Sequence, residues 1–537
     1  MKVRSDIMKL SKTMHTWVGV CSGILLFICF FAGGLSMFQH DLSRWGTPQT
    51  QVLPAIQADQ YNQLIAQVQQ AYPATQKGFT LNISSQEFHH APITWTERQG
   101  RGEGFNTLQT AHLASLDRQG ELISSQENLS KMGWLIEQLH ETAGIPGMAG
   151  HHTLGVYVMG VVAALYFLAL MSGLIILLPT LVKDYFAIRP GKNKKRFWLD
   201  THNVIGISSL PFHIVISFTV VVFAFHDYFY DSIRQLALKG ESPFARAPAQ
   251  VIEIQQQHID VQQILAKVQQ VAPEYEVKYI QFSGLDEPQK ANARIALYSS
   301  SQLLRGANND FMRLNPYNVD VYDHRGINTQ TDHANTFINA LFSMHFGSYG
   351  GNGVRWIYFI LGIGGAFLFY SGNILWVETR ARKQKRAQDP VPEQRKDVIF
   401  LANLTIGTCL GCVLAIATSM LVGRLAHIWM EVNSINHLYM YSYYAVFVII
   451  TLYTFVIGYQ RALAQILCSI AMILMLIPIS SLVAYLWPNS GLWYHADSIS
   501  IDVIAFLLSF LFFQFYKNAK KRATTAEPGS LWALEKA

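Results

Sequence analysis

The sequence predicts an all-α membrane bundle of about eight transmembrane helices. Two α+β domains are inserted into it, one between helices one and two and one between helices three and four. Three observations carry this. Half of the 537 residues are hydrophobic and only 14% are charged, whereas a soluble chain carries nearer a quarter. The apolar residues are segregated into runs of about 20, enough to cross a hydrocarbon core of about 30 Å at about 1.5 Å per residue. Lysine and arginine gather in alternate connections, the pattern of an even number of spans with both termini in the cytoplasm.

The eight runs are 16–38, 153–178, 203–225, 354–377, 398–422, 438–458, 464–487 and 499–516. The first follows a basic leader of Lys2, Arg4, Lys9 and Lys12. It is too long for the apolar region of a signal peptide, and no small-x-small site follows Phe38, so it reads as an uncleaved anchor. Basic residues recur at Lys183, Arg189, Lys192, Lys194, Lys195 and Arg196, at Arg380, Arg382, Lys383, Lys385, Arg386, Arg395 and Lys396, and at Lys517, Lys520, Lys521 and Arg522. Flanking charge of this kind orients spans against a lipid bilayer and needs no nucleic-acid partner. All five cysteines fall inside predicted spans, so no disulfide framework is implied. Cys409 and Cys412 form a C-x-x-C without a second pair or a neighbouring histidine.

The divisions follow: 1–38, leader and first span; 39–150, first outside domain; 151–226, second span, basic loop and third span; 227–353, second outside domain; 354–397, fourth span and basic loop; 398–537, a four-span module and tail. The first outside segment predicts a helix from Tyr61 to Tyr72, strands at Thr80–Ile83, Ile93–Glu97 and Thr110–Ser115, and a hairpin at Asp117-Arg118-Gln119-Gly120. The second predicts a helix from Val261 to Val271, strands at Val277–Phe282 and Ala293–Tyr298, and a turn at Asp323-His324-Arg325-Gly326.

The first 385 residues contain a repeat. His15-Thr16-Trp17-Val18-Gly19 opens run one and His202-Asn203-Val204-Ile205-Gly206 opens run three; Leu139-His140 precedes run two and Met344-His345 precedes run four; Ser172-Gly173 and Ser371-Gly372 close those runs. Residues 10–190 and 197–385 read as two copies of helix, outside domain, helix, related by a pseudo-two-fold axis along the membrane normal.

Histidine inside a membrane marks function. The repeat pairs His15 with His202 at the cytoplasmic end and His140 with His345 at the outside end. Opposed histidines suit the two axial positions of a haem iron, and Gly19, Gly23, Gly155, Gly206 and Gly362 leave room for a flat macrocycle. Alternatively, these are hydrogen-bonded interfacial histidines, copied by duplication. His213 has no counterpart in the first copy. On one straight helix it returns to the face of His202 about 16 Å deeper, a rival or supplementary ligand. His40-Asp41 and His226-Asp227 recur at the ends of runs one and three, and His151 and His152 adjoin His140. Runs one to four hold almost no carboxylates, with Asp200 and Glu378 at the edges, which favours haem over an ion path. No serine-centred, P-loop or dinucleotide-binding motif appears.

These stretches resemble the PepSY-associated transmembrane helix family of iron-regulated inner-membrane proteins. The carrying residues are the His15 and His202 motifs, Ser172-Gly173, Phe186-Ala187-Ile188-Arg189-Pro190-Gly191-Lys192, Trp198-Leu199-Asp200-Thr201, Leu210-Pro211-Phe212-His213 and His345-Phe346-Gly347-Ser348-Tyr349-Gly350-Gly351. The resemblance covers about residues 10–380. It implies PepSY-like outside domains in the periplasm, haem b (two) held by the histidines, and a haem-dependent reductase of ferric siderophores or other ferric chelates. That reductase would sit in the bacterial inner membrane and take electrons from a donor on the cytoplasmic or quinone side. Arg305, Arg313 and Tyr317 are candidates to steer an anionic chelate. Two other classes stay open: a non-catalytic protein that regulates or assembles a periplasmic partner, and a siderophore permease. Runs five to eight lie outside the resemblance. Their polar residues, Arg424, His427, Glu431, His437, Tyr494, His495 and Asp497, gather at the membrane edges, where the helices buttress the first four or meet a partner.

Overall fold

The computed structural model describes residues 3–48, 53–84, 91–96, 111–150, 152–181, 194–228, 232, 235, 253–323, 326–327, 333–382, 390, 392–430, 432–525 and 530–533. The chain divides into two compact units. One holds residues 1–46, 131–225 and 358–537; the other holds 47–130 and 226–357.

The first unit is helical. Its elements are α1 (Ser5–Ser36), α2 (Gln39–Trp45), α4 (Met132–Thr142), the short ribbon β5 (Met148–Ala149) and β6 (His152–Thr153), α5 (Leu154–Leu177), α6 (Lys194–Ser208) and α7 (Leu210–Ala224). After the long α10 (Gly351–Arg380) come α11 (Lys396–Thr405), α12 (Gly411–Ala426), α13 (Val432–Ile457), α14 (Tyr459–Leu486) and α15 (Ile499–Thr525). Among the described residues, seven helices are long and apolar enough to cross a membrane, or eight if one bent pair is a single span. That pair is α6 and α7, expected as one straight run. The two diverge by 68°. Pro211 at the start of α7 has no N–H to donate, and its ring crowds the preceding turn, which places the break at Ser209. His202 and His213 therefore sit on separate segments, and the expectation that they share one helical face does not hold.

In the C-terminal module, α11 and α12 are joined by a π turn at Ile406–Leu410. The Thr454 hydroxyl donates to the Asn403 carbonyl at 3.0 Å, just ahead of that turn. Irregular backbone at membrane depth is tolerated where a neighbouring side chain satisfies it. Cys409 and Cys412 are buried free thiols. Arg424 is buried, with its guanidinium over the Trp45 ring at 4.3 Å and donating to Ser481 Oγ at 2.8 Å. Asp502 accepts from Ser481 Oγ at 2.8 Å and from Trp45 Nε1 at 3.1 Å. This network and the 2.9 Å bond from Lys131 N to Asn436 Oδ1 fasten the module to α2 and α4. At the other end of α10, Glu378 accepts from Arg522 and Trp532 Nε1, each at 2.6 Å. Glu431 lies outside the described residues.

The second unit contains α3 (Tyr61–Ala71), β1 (Gly78–Asn82), β2 (Ile93–Thr96), β3 (Ala111–Leu116), β4 (Leu122–Glu127), α8 (Val261–Val271), β7 (Glu276–Ser283), β8 (Asn292–Tyr298), β9 (Asp310–Asn315), β10 (Asn318–Asp323) and α9 (His333–Phe346). The two outside segments, expected as separate domains, share one antiparallel sheet in the order β10-β9-β8-β7-β1-β2-β3-β4. β1 and β7 meet at its centre, with Thr80 opposite Gln281. The physical reason is burial. Each half offers four strands and one amphipathic helix, and joining them lets Leu64, Val68, Ile264 and Val268 cover one continuous core with Leu81, Ile280 and Ile295. Asp260 caps α8 by accepting from Gln262 N at 3.0 Å and also accepts from Asn62 Nδ2 at 3.3 Å, which ties the two helix starts together. The Asp117 hairpin forms as expected: Asp117 Oδ1 accepts from Gln119 N at 2.8 Å, and Gly120 takes a positive φ of 83°. His324 and Arg325 of the other expected turn lie outside the described residues.

Candidate functional site in the helical unit

The His15 and His202 rings lie together, with centroids 6.3 Å apart and planes at 81°. Each is held from behind by the helix that ends its own copy of the repeat. His15 Nδ1 is 2.9 Å from the Ala169 carbonyl oxygen on α5, which makes Nδ1 the protonated nitrogen. His202 Nδ1 is 3.2 Å from Ser371 Oγ on α10. That hydroxyl already donates to the Leu368 carbonyl at 2.9 Å, so it accepts from Nδ1–H. Both Nε2 atoms keep their lone pairs, and neither makes a hydrogen bond among the described residues. A ring whose Nδ1–H is fixed by a protein acceptor is the usual state of a metal-binding histidine.

The glycines explain how the rings fit. A Cβ at Gly173 would come within 2.9 Å of His15 Cε1, and one at Gly372 within 3.3 Å of His202 Cε1. Each ring thus lies where any larger residue would push it away. One turn beyond His15, a Cβ at Gly19 would meet nothing within 4 Å; beyond His202, one at Gly206 would reach only Leu368, at 3.6 Å. Of the two H-x-x-x-G glycines, Gly19 thus faces open space and Gly206 faces Leu368.

His140 is held in the same manner. Its Nδ1 donates to the Cys29 carbonyl at 3.0 Å, and a Cβ at Gly33 would stand 2.6 Å from that nitrogen. His213 is fully buried, and neither ring nitrogen has a hydrogen-bond partner among the described residues. Its ring lies 5.6 Å from Phe30 and 5.9 Å from Tyr166, whose hydroxyl is also unpartnered. A buried imidazole without any hydrogen bond is costly. An iron bound at Nε2 would relieve that cost. His140 and His213 both pack on the same stretch of α1, residues 29–33.

His345 is on α9 in the second unit, beside Phe346 at 5.5 Å. His226 pairs with Asp227 at 3.1 Å in that unit. Asp200, next to the His202 motif, is buried against Arg196 at 3.0 Å. His151 lies outside the described residues. Together these residues offer imidazole nitrogens suited to a metal: Nδ1 of His15, His202 and His140 fixed by acceptors, and an orphaned His213 ring among aromatics.

The expected chelate-steering set does not assemble. Tyr317 is in the sheet core and donates to the Leu285 carbonyl at 3.4 Å. Arg305 lies over Phe342 at 5.2 Å. Its backbone N–H binds Asp310, whose carboxyl is pushed up to about 6 by burial, against the hydrogen bonds it accepts. Arg313 instead stands opposite Arg294, a residue the sequence reading missed. The alternation Ala293-Arg294-Ile295 was its only signal.

A family model described as the PepSY-associated TM region matches residues 13–379. No curated protein matches the chain. With its apolar helices and a match across both copies of the repeat, the chain is a multi-pass membrane protein that belongs to the PepSY-associated transmembrane family.

Proposed function

We propose that the chain is a haem-containing inner-membrane reductase that passes electrons across the membrane to ferric iron in the periplasm, carried as a ferric siderophore or other ferric chelate, in iron acquisition. The supporting observation is the His15–His202 pair. The two ring centroids are 6.3 Å apart, a separation at which both imidazoles could bind one metal ion between them at about 2 Å from each nitrogen. His15 and His202 would hold one haem b. His140 and His213, on one stretch of α1, are candidates for a second. When bound, haem supplies one-electron redox chemistry, its potential set by axial ligands, burial and hydrogen bonds.

The chain's own residues do the rest. The Ala169 carbonyl and Ser371 hydroxyl fix the rings and raise the basicity of Nε2. Phe30, Tyr166 and Phe212 pack on His213 and keep water from it. Reduction releases iron from a chelate because hard oxygen donors hold iron(II) more weakly. The donor is a cytoplasmic reductant or a quinol.

The test is the absorption spectrum of protein purified from membranes. A Soret band that sharpens on dithionite reduction and two haems per chain are expected. Folded but colourless protein would sink the reading in favour of a non-catalytic partner-binding protein. Chelate uptake into sealed vesicles without any reductant would favour a permease.

A further inference from the structure

The face of the sheet opposite the helices carries an arrangement that the histidines do not use. Across the strands, Gln281, Arg294 and Arg313 stand in one row. Directly opposed residues of antiparallel strands have Cβ atoms about 4.5–5.5 Å apart, and like charges there repel. Neither arginine has an ion-pair partner among the described residues. Asp323 stands opposite Arg313 in register on β10. Arg294 Nε is buried and unpartnered, and its guanidinium carbon lies 3.4 Å from the centre of the Phe311 ring. Burial lowers the Arg294 pKa, with Arg313 lowering it further against Tyr279. Arginine stays charged regardless.

The fold does not require these charges. The same row continues through the first half as Thr80, Thr94 and Leu113. There Leu113 is covered by Leu53 and Ala91. The second half holds an exposed Arg313 and a stacked Arg294 instead. Stacking on Phe311 fixes one guanidinium fork before any ligand arrives. Two adjacent forks match an anion that presents several planar oxygen groups.

We propose that Arg294 and Arg313 form a docking site for a polyanionic oxygen ligand; resting on the reductase reading, that ligand is a ferric chelate of net negative charge, such as a polycarboxylate complex.

The full-length protein in detergent is titrated with gallium(III) citrate, a redox-inert stand-in, with a neutral gallium(III) trihydroxamate, and with metal-free citrate. Arg294→Gln and Arg313→Gln should each weaken the citrate complex by about 10–100-fold, the worth of a hydrogen bond to a charged group. Added salt should weaken it in the wild type, and the neutral complex should not respond to either substitution. Metal-free citrate bound with the same arginine dependence supports the site. Equal affinity of wild type and both variants for gallium citrate overturns it. Arg313 is exposed, so its variant reads binding even if Arg294→Gln folds poorly. The two readings separate cleanly. Haem-free protein with arginine-dependent binding keeps the site and sinks the reductase; haem-replete protein with arginine-independent binding does the reverse.

Discussion

The two copies of the repeat treat their duplicated positions in opposite ways in the two units. In the helical unit the copies agree. His15 and His202 each open an H-x-x-x-G motif, each ring lies against the glycine of a Ser-Gly pair, and the rings meet. In the sheet they disagree: along the row through Thr80 and Gln281, the first copy places Thr94 and Leu113 under an apolar cover, and the second places Arg294 beside an exposed Arg313. A ligand held on an axis needs the same group from both copies. A ligand that docks on one side needs it from one copy only. The symmetric pair thus suits a cofactor shared between the copies, and the asymmetric pair suits a visitor.

The largest expected effect breaks the symmetric side. His15→Ala and His202→Ala should each abolish the same haem, seen as one spectral component and one haem per chain fewer. His140→Ala should leave that component intact and remove another. Whether His213→Ala or His345→Ala removes the same component as His140→Ala identifies the partner. If His15→Ala and His202→Ala affected different components, the two copies would not share a cofactor.

Next in size is a transplant of the asymmetric pair. Thr94→Arg with Leu113→Arg puts two unpaired charges at buried sites and should cost several kcal/mol, on the order of 3–5. Thermal melting of the sheet unit measures it, and an unchanged melt would mean that the first half can open.

Smaller effects sharpen the symmetric side. Gly173→Ala brings a Cβ to 2.9 Å from His15, and Gly372→Ala only to 3.3 Å from His202. Overpacking of this kind costs about 1–3 kcal/mol. Gly173→Ala should lower haem occupancy more than Gly372→Ala, read from the Soret absorbance per chain. The reverse order would show that the two slots are not equivalent. The smallest effect runs the other way. Without ligand, Arg294→Thr with Arg313→Leu should stabilise the sheet unit by about 0.2–1 kcal/mol as cross-strand repulsion is relieved, and a lower melting temperature would show that the arginines serve the fold.

The sequence by itself determined the membrane class, the apolar runs, the repeat and the histidines. Span length, charge placement and the H-x-x-x-G spacing are local patterns, and each follows from the period of one helix. The strands β1, β2, β3, β7 and β8 were also legible, because alternation needs only neighbouring residues, whereas β4, β9 and β10 were not. Tertiary structure decided what local pattern cannot. The pairing of β1 with β7 merged two expected domains, since register joins residues about 200 positions apart. The bend at Ser209 separated His213 from His202, because phase is lost wherever a helix breaks. Arg294 became half of a pair only when Arg313 was laid opposite it. The tautomers of His15 and His202 depended on acceptors at Ala169 and Ser371, on helices far along the chain. In each case the deciding contact is long-range, and its energy depends on a distance that no spacing along the chain encodes.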